Sequence, residues 1–154
     1  MAKSRNRVDY VENDTVLTPK YIFDALALEF DLDVASSKSV YDEVNAKKRF
    51  TIENDGLAQP WNGLVWCNPP YSNCSPWVDR MIEHNNGIAL LPASKSRWGE
   101  KVFARANGML MLPPNFKFVG TNGEPKPIYM PVYLYSFGDR ATKALLLSGL
   151  GIIR

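Results

Sequence analysis

Residues 62–71 read Asn-Gly-Leu-Val-Trp-Cys-Asn-Pro-Pro-Tyr, four apolar residues closed by turn formers on both sides. The run 64–67 (LVWC) has no polar position, which is the pattern of a short strand covered on both faces. Asn62-Gly63 marks the turn before it. Asn68-Pro69-Pro70 ends it, because proline brings no N–H to a ladder and holds the residue before it extended. A strand covered on both faces belongs inside a largely parallel sheet, so this stretch already points to an α/β fold.

Downstream, 77–84 is predicted as a helix stopped by Asn85-Asn86-Gly87, and 87–92 (GIALLP) repeats the apolar strand pattern. A helix over 98–106 and strands over 108–112 and 129–137 follow, with 113–127 a long loop rich in Pro, Gly and Asn. Upstream, Thr18 is the expected N-cap and Pro19 the first residue of a helix over 19–30, whose Ile22, Phe23, Leu26 and Ala27 share a face. Residues 30–35 (FDLDVA) read as a short strand, 36–48 as irregular or weakly helical, and 49–52 as a second short strand. Residues 1–14 are polar without periodicity and read as a flexible arm. The alternation predicts a mostly parallel central sheet flanked by helices, in one minimal domain over 15–154.

The chain has 154 residues, enough for one domain with a core of its own. Its formal net charge is +2, which permits a phosphate-binding face without demanding one. Basic residues are clustered: Lys3, Arg5 and Arg7, then Lys47-Lys48-Arg49, then Lys95 and Arg97 around Ser96. Each cluster reads equally as solvated surface. Cys67 and Cys74 are too few for a disulfide framework and lack the second pair of a zinc site, so no metal is expected. No His is placed to activate either thiol, and both read as packing residues. His84, the one histidine, falls in the last turn of a helix, where a cation suits the dipole. With no long apolar run and no apolar leader, a cytoplasmic protein without membrane contact is expected.

In an open α/β sheet, ligands bind beyond the carboxyl ends of the strands, where Asn68-Pro69-Pro70-Tyr71 falls. That tetrapeptide has the groups needed to methylate an exocyclic amine. Such an amine is a poor nucleophile because its lone pair is delocalised into the ring. Acceptors on its two N–H bonds push it toward tetrahedral geometry and free the lone pair. The Asn68 side-chain oxygen is one acceptor and the Pro69 carbonyl the other, held rigid by Pro70. Tyr71 offers a flat face for a flipped base, a stack worth roughly 1–3 kcal/mol. A proline-rich turn that merely ends a strand is the plainer alternative.

Thr18-Pro19, the 30–36 block (FDLDVAS) and the 51–72 block (TIENDGLAQPWNGLVWCNPPYS) together resemble the phage-type DNA N6-adenine methyltransferases, across about residues 16–138. The resemblance implies a Rossmann-like methyltransferase fold, S-adenosylmethionine as cofactor and DNA as partner. It implies that Asp33, with Ala35 and Ser36 after it, sits at the cofactor, that Thr18 and Pro19 line its methionine end, and that Asp55 bonds its adenine amine. Asn68, Pro69, Pro70 and Tyr71 would form the catalytic loop. In one respect the chain departs from the pattern: Ala35-Ser36-Ser37 stands where a glycine motif would bring backbone to the cofactor. For the ribose hydroxyls Asp31, Asp42, Glu43 and Glu53 are all candidates, Glu53 being preferred.

On the substrate side, Lys95, Arg97 and Trp98 follow a strand and can meet DNA phosphates or an extruded base; Trp98 reads equally as a core anchor. Phe116 can face the target base or pack in the core. The large aromatics suit a purine, and the loop carries Asn rather than Ser, so N6 of adenine is the expected target, in several sequence contexts. The same tetrapeptide also serves cytosine N4 and protein glutamine, and a non-catalytic nucleic-acid-binding protein on this fold is a third reading. Only the 1–14 arm and the loop about 119–127 are free to read bases. The sequence leaves the oligomeric state open.

Overall fold

The run after Gly63 does form a strand, and it lies at the heart of the molecule. The computed structural model describes residues 15–154, so the arm over 1–14 lies outside the described residues. The first helix is Lys20–Leu26 (α1), followed by strands Phe30–Asp33 (β1), Ala46–Arg49 (β2) and Val65–Cys67 (β3). Helix Ser75–His84 (α2), strand Gly87–Pro92 (β4), helix Arg97–Arg105 (α3) and strand Gly108–Met111 (β5) come next. Lys117–Val119 (β6) and Pro125–Pro127 (β7) form a separate hairpin. Val132–Phe137 (β8), helix Asp139–Leu147 (α4) and Ile152–Ile153 (β9) complete the chain.

The main sheet has the order β2-β1-β3-β4-β8-β5-β9. β2, β1, β3 and β4 run parallel. β8 runs against both β4 and β5, and β9 against β5. The sheet is therefore mixed, parallel in the half that carries β1 and β3. Side chains alternate across it with the period of two that strands impose. Trp66 points to the side of α1 and α4, where it meets Phe23 at 4.8 Å and Phe30 at 5.5 Å between ring centres. Val65 and Cys67 point to the opposite side, against Trp77, Val78 and Met81 of α2 and Val102 of α3. Full burial of such apolar side chains stabilises by roughly 1.5–3 kcal/mol each, so the two layers lock β3 from both faces. Among the described residues no helix is long and apolar enough to cross a membrane.

Several expected elements shift. α1 covers Lys20–Leu26 rather than 19–30, because Ala27 turns left-handed (φ 51°) and its N–H bonds the Phe23 carbonyl. Pro19, not Thr18, holds the N-cap position, with no side-chain cap bond. The second strand lies at Ala46–Arg49 rather than 49–52, in register from Phe30 opposite Ala46. Its charged sequence suits a sheet edge, where exposed Lys and Arg discourage further pairing. The long loop over 113–127 contains the β6–β7 hairpin, whose prolines 125 and 127 are tolerated because β7 is an edge strand. α4 and β9 were not anticipated at all.

Candidate functional site

The parallel half of the sheet opens at its carboxyl ends into a cavity of about 370 Å³ whose walls include Thr18, Asp33, Asp55, Trp66, Asn68 and Trp77. That lies within the roughly 300–1,000 Å³ usual for a small-molecule site, at the crevice where such sheets bind ligands.

Asn68 follows β3 directly. Its Nδ2 donates to the Val16 carbonyl at 3.0 Å. A carbonyl can only accept, so Val16 takes the amino end of the amide and leaves Oδ1 as the unused end. Oδ1 is buried and has no hydrogen-bond partner among the described residues, and the same holds for Thr18 Oγ1. Leaving a buried polar atom unpaired costs about 1–3 kcal/mol, so two of them on one cavity wall mark a place where a ligand supplies the partners. Val16 is held in place by its neighbour, since Leu17 and Val119 exchange N–H···O bonds of 2.7 and 2.8 Å.

Pro70 also lines the cavity, in an extended conformation (φ −62°, ψ 125°), while Pro69 is buried toward Trp77 and Val78. Tyr71 begins a short 3-10 turn and donates its hydroxyl to the Leu90 carbonyl at 3.2 Å. Its ring makes a T-shaped contact with Phe118 at 5.9 Å between centres, and burial pushes the phenol well above its ordinary pKa. The ring is therefore held by its contact with Phe118 and by its hydroxyl.

Asp33 closes β1 and is 2% exposed. Burial, then the nearby Asp42 carboxylate, push its pKa up to about 7, against the opposing pull of the Ala35 N–H and Arg49. That N–H reaches Asp33 Oδ1 at 3.2 Å. Ala35 and Ser36 line the cavity beside it, as does Asp55, an exposed residue in left-handed conformation (φ 52°). Pro19 does not line it.

Of the four acidic residues considered for a ribose, only Asp42 lies in the wall. Glu53 is exposed, ion-paired with Lys38, and outside the lining. Asp31 is turned to the start of β3, where it accepts the Leu64 N–H at 2.7 Å, a bond that keeps its carboxyl below the usual range. Glu43 is exposed and outside the lining.

Lys95, on the loop after β4, and Arg97, the first residue of α3, are exposed, and Ser96 between them caps α3 by accepting the Gly99 N–H at 3.3 Å. Trp98 is half-buried against the core under α3. Phe116 is buried, its ring 4.9 Å from that of Phe118 and nearly perpendicular to it. His84 donates Nε2–H to the Gly63 carbonyl at 2.7 Å, a role in joining α2 to the turn before β3. Cys67 and Cys74 are buried thiols that form no disulfide. Among the described residues no group of three His, Cys, Asp or Glu could hold a metal ion.

The sequence did not single out Val16, whose part is played by its backbone carbonyl and depends on a bridge to distant Val119. Nor did it separate Arg49 from its basic neighbours, although the parallel register sets it beside Asp33. Nothing local in the sequence signals either contact.

Fold and site together define an α/β protein with a cavity at parallel strand ends and an asparagine with a buried, unpaired oxygen in its wall. The model of the DNA N-6-adenine-methyltransferase (Dam) family matches residues 5–119, and the chain belongs to that family. It is similar to a DNA N-6-adenine-methyltransferase of Haemophilus phage HP1, 31% identical over 100 residues that make up 59% of this chain and 55% of the relative. A DNA N-6-adenine-methyltransferase of Escherichia phage T1 is 39% identical over 74 residues, 44% of this chain and 30% of the relative. The chain thus spans about half or less of the length of these curated relatives. No solved structure matches it.

Proposed function

We propose that this chain is an S-adenosylmethionine-dependent methyltransferase acting on N6 of adenine in DNA, in the cytoplasm of the cell in which it is made. Residues 15–154 are its Rossmann-like methyltransferase domain. Family membership and the relatives' names support the reaction. The parallel order β2-β1-β3-β4, with helices on both faces and the cavity at its carboxyl ends, supports the fold. The observation that carries the proposal is the buried, partnerless Asn68 Oδ1 in the cavity wall.

The cofactor fits the residues present. The apolar walls of Val34, Trp66 and Trp77 suit a flat purine, and Asp33, Asp55 and Lys38 provide charged groups around it. Thr18, with its unpaired hydroxyl, and Asp33, Ala35, Ser36 and Asp55 hold the cofactor, which when bound supplies a methyl group on a sulfonium. Asn68 Oδ1 and the Pro69 carbonyl accept the two N–H bonds of the target amine and turn its lone pair out of the ring plane. To reach them the adenine leaves the base stack, and Tyr71 meets its face.

Incubation with labelled S-adenosylmethionine and unmethylated DNA, then digestion to nucleosides and mass spectrometry, is expected to yield N6-methyladenine in several sequence contexts. N4-methylcytosine as the main product would overturn the base assignment. Labelled protein glutamine would move the acceptor to an amide, and no transfer at all would leave a nucleic-acid-binding protein.

DNA binding rests on exposed cations, for which Lys95 and Arg97 are placed at the strand ends. Each phosphate contact contributes about 0.9 to the slope of log affinity against log salt on duplex DNA. Neutralising both residues is therefore expected to flatten that slope by about 1–2. An unchanged slope assigns them to the loop's own structure.

A further inference from the structure

The basic run Lys47-Lys48-Arg49 looks uniform in sequence, but the fold divides it. Lys47 pairs with Glu29 and Asp31 at 3.7 and 3.5 Å, and Lys48 lies over the Phe50 ring at 5.2 Å. Arg49 turns toward the cofactor cavity. Its Nη1 is 3.3 Å from Asp42 Oδ1 and 3.8 Å from Asp33 Oδ2, and its Nη2 donates to the Val44 carbonyl.

Asp42 is the other half of this arrangement. Oδ2 accepts from the Ser36 hydroxyl at 3.2 Å and from the Ser37 N–H at 3.0 Å. Oδ1 accepts from the Val44 N–H at 3.0 Å and from Arg49. A carboxylate has about four acceptor positions, and here all four are used, so Asp42 has none left for a ribose hydroxyl. What it does instead is fold the segment after β1 back onto itself. Ser36, Ser37 and Val44 are all cavity-wall residues, and each is tied to this one carboxylate.

We propose that Arg49 and Asp42 shape the cofactor wall in place of a glycine-rich turn, Arg49 being a positioning residue for cofactor binding and not a phosphate contact. The inference rests on the methyltransferase reading of the cavity. Its physical basis is charge. Asp33 and Asp42 would otherwise face each other in a largely water-free corner, a like-charge pair that favours protonation of one member. Arg49 stands between them and opposes the rise in the Asp33 pKa that burial and Asp42 cause, with Asp42 turned to the loop and Asp33 at the cavity. The charged and titratable groups around Asp33 are Asp42 from the loop, Arg49 from β2 and Cys67 from β3, with the Ser36 hydroxyl beside them.

The test uses the full chain with Arg49→Gln and Arg49→Lys. Carbon-detected NMR follows the Asp33 carboxyl through pH without cofactor, and calorimetry measures S-adenosylmethionine affinity. In Arg49→Gln the Asp33 midpoint is expected to rise and cofactor affinity to fall at least about tenfold, the loss of a charge-assisted contact in the wall. Arg49→Lys, which keeps the charge without the fork, recovers part of both and serves as the reporter should the Gln variant fail to fold. The slope of DNA affinity against salt stays as in the wild type. Unchanged cofactor affinity, an unchanged Asp33 midpoint, or a flattened salt slope overturns the proposal. Should the wild-type protein itself take no S-adenosylmethionine, the methyltransferase reading falls, and the NMR midpoint still decides whether Arg49 sets the wall.

Discussion

Replacement of Asn68 by Ala is expected to lower methyl transfer by about 10²–10³ while cofactor affinity stays within about threefold, the loss typical of one placed hydrogen-bond partner of a transition state. The cause is local. Asn68 Oδ1 is buried without a partner at the cavity, whereas Nδ2 is committed to the Val16 carbonyl. Alanine removes the acceptor for the target amine and leaves the groups assigned to the cofactor in place. Because it also frees the Val16 carbonyl, a second variant separates the two effects. Asn68→Asp keeps an acceptor oxygen but cannot donate to Val16, and should retain more transfer than Ala. Single-turnover rates at saturating cofactor and DNA are the measurement. Transfer above about a tenth of wild type in Asn68→Ala would remove Asn68 from the reaction, since the expected loss is at least tenfold larger.

The parts of this site that were legible in the sequence are those fixed by near neighbours. The loop Asn68 to Tyr71 announces itself because prolines must end β3 and the apolar run before them must be buried. β4 was legible to the residue, since six apolar positions stand between Asn86 and Ala93. Residue 85 as a helix stop was legible too, and Asn85 does take the left-handed cap (φ 54°). What stayed hidden depends on contacts across the chain. β2 has no apolar pattern, because an edge strand made of Ala-Lys-Lys-Arg owes its place to pairing with β1. The β6–β7 hairpin is proline-rich, and its position comes from the Leu17–Val119 bridge and from Phe118 packing against Tyr71. Nothing local in the sequence separates the four acidic candidates for a ribose, and Glu53 is exposed and paired with Lys38. Asp42, which accepts from Ser36 and Ser37 in the cavity wall, lies in a segment with no regular pattern to read.

Asp33→Asn should make the unliganded protein more stable at pH 8 and at the same time a poorer cofactor binder. In the folded chain burial raises the Asp33 pKa to about 7. In the unfolded chain it returns to about 3.9, so the folded state binds this proton more tightly. The stability contributed by the protonated form is fully present below about pH 4 and is lost as pH rises through 7. Above that pH the protein carries a buried carboxylate it would be more stable without. Asn has the shape of the protonated acid and can still accept the Ala35 N–H, so it avoids that cost. Thermal melts without cofactor should therefore coincide near pH 4 and separate at pH 8, with the variant higher by on the order of 2–4 kcal/mol. Cofactor binding should move the other way. A donor on the cofactor is held more strongly by a carboxylate than by an amide, and the difference is roughly 10–100-fold in affinity. Wild-type affinity should also fall by about tenfold per pH unit below 7, as Asp33 takes up its proton, while the variant stays flat over the same range. Calorimetric titrations from pH 5.5 to 8.5 on both proteins decide the matter. Equal pH dependence in the two would show that Asp33 does not face the cofactor, and a variant less stable than wild type at pH 8 would show that the buried charge is already compensated by Arg49.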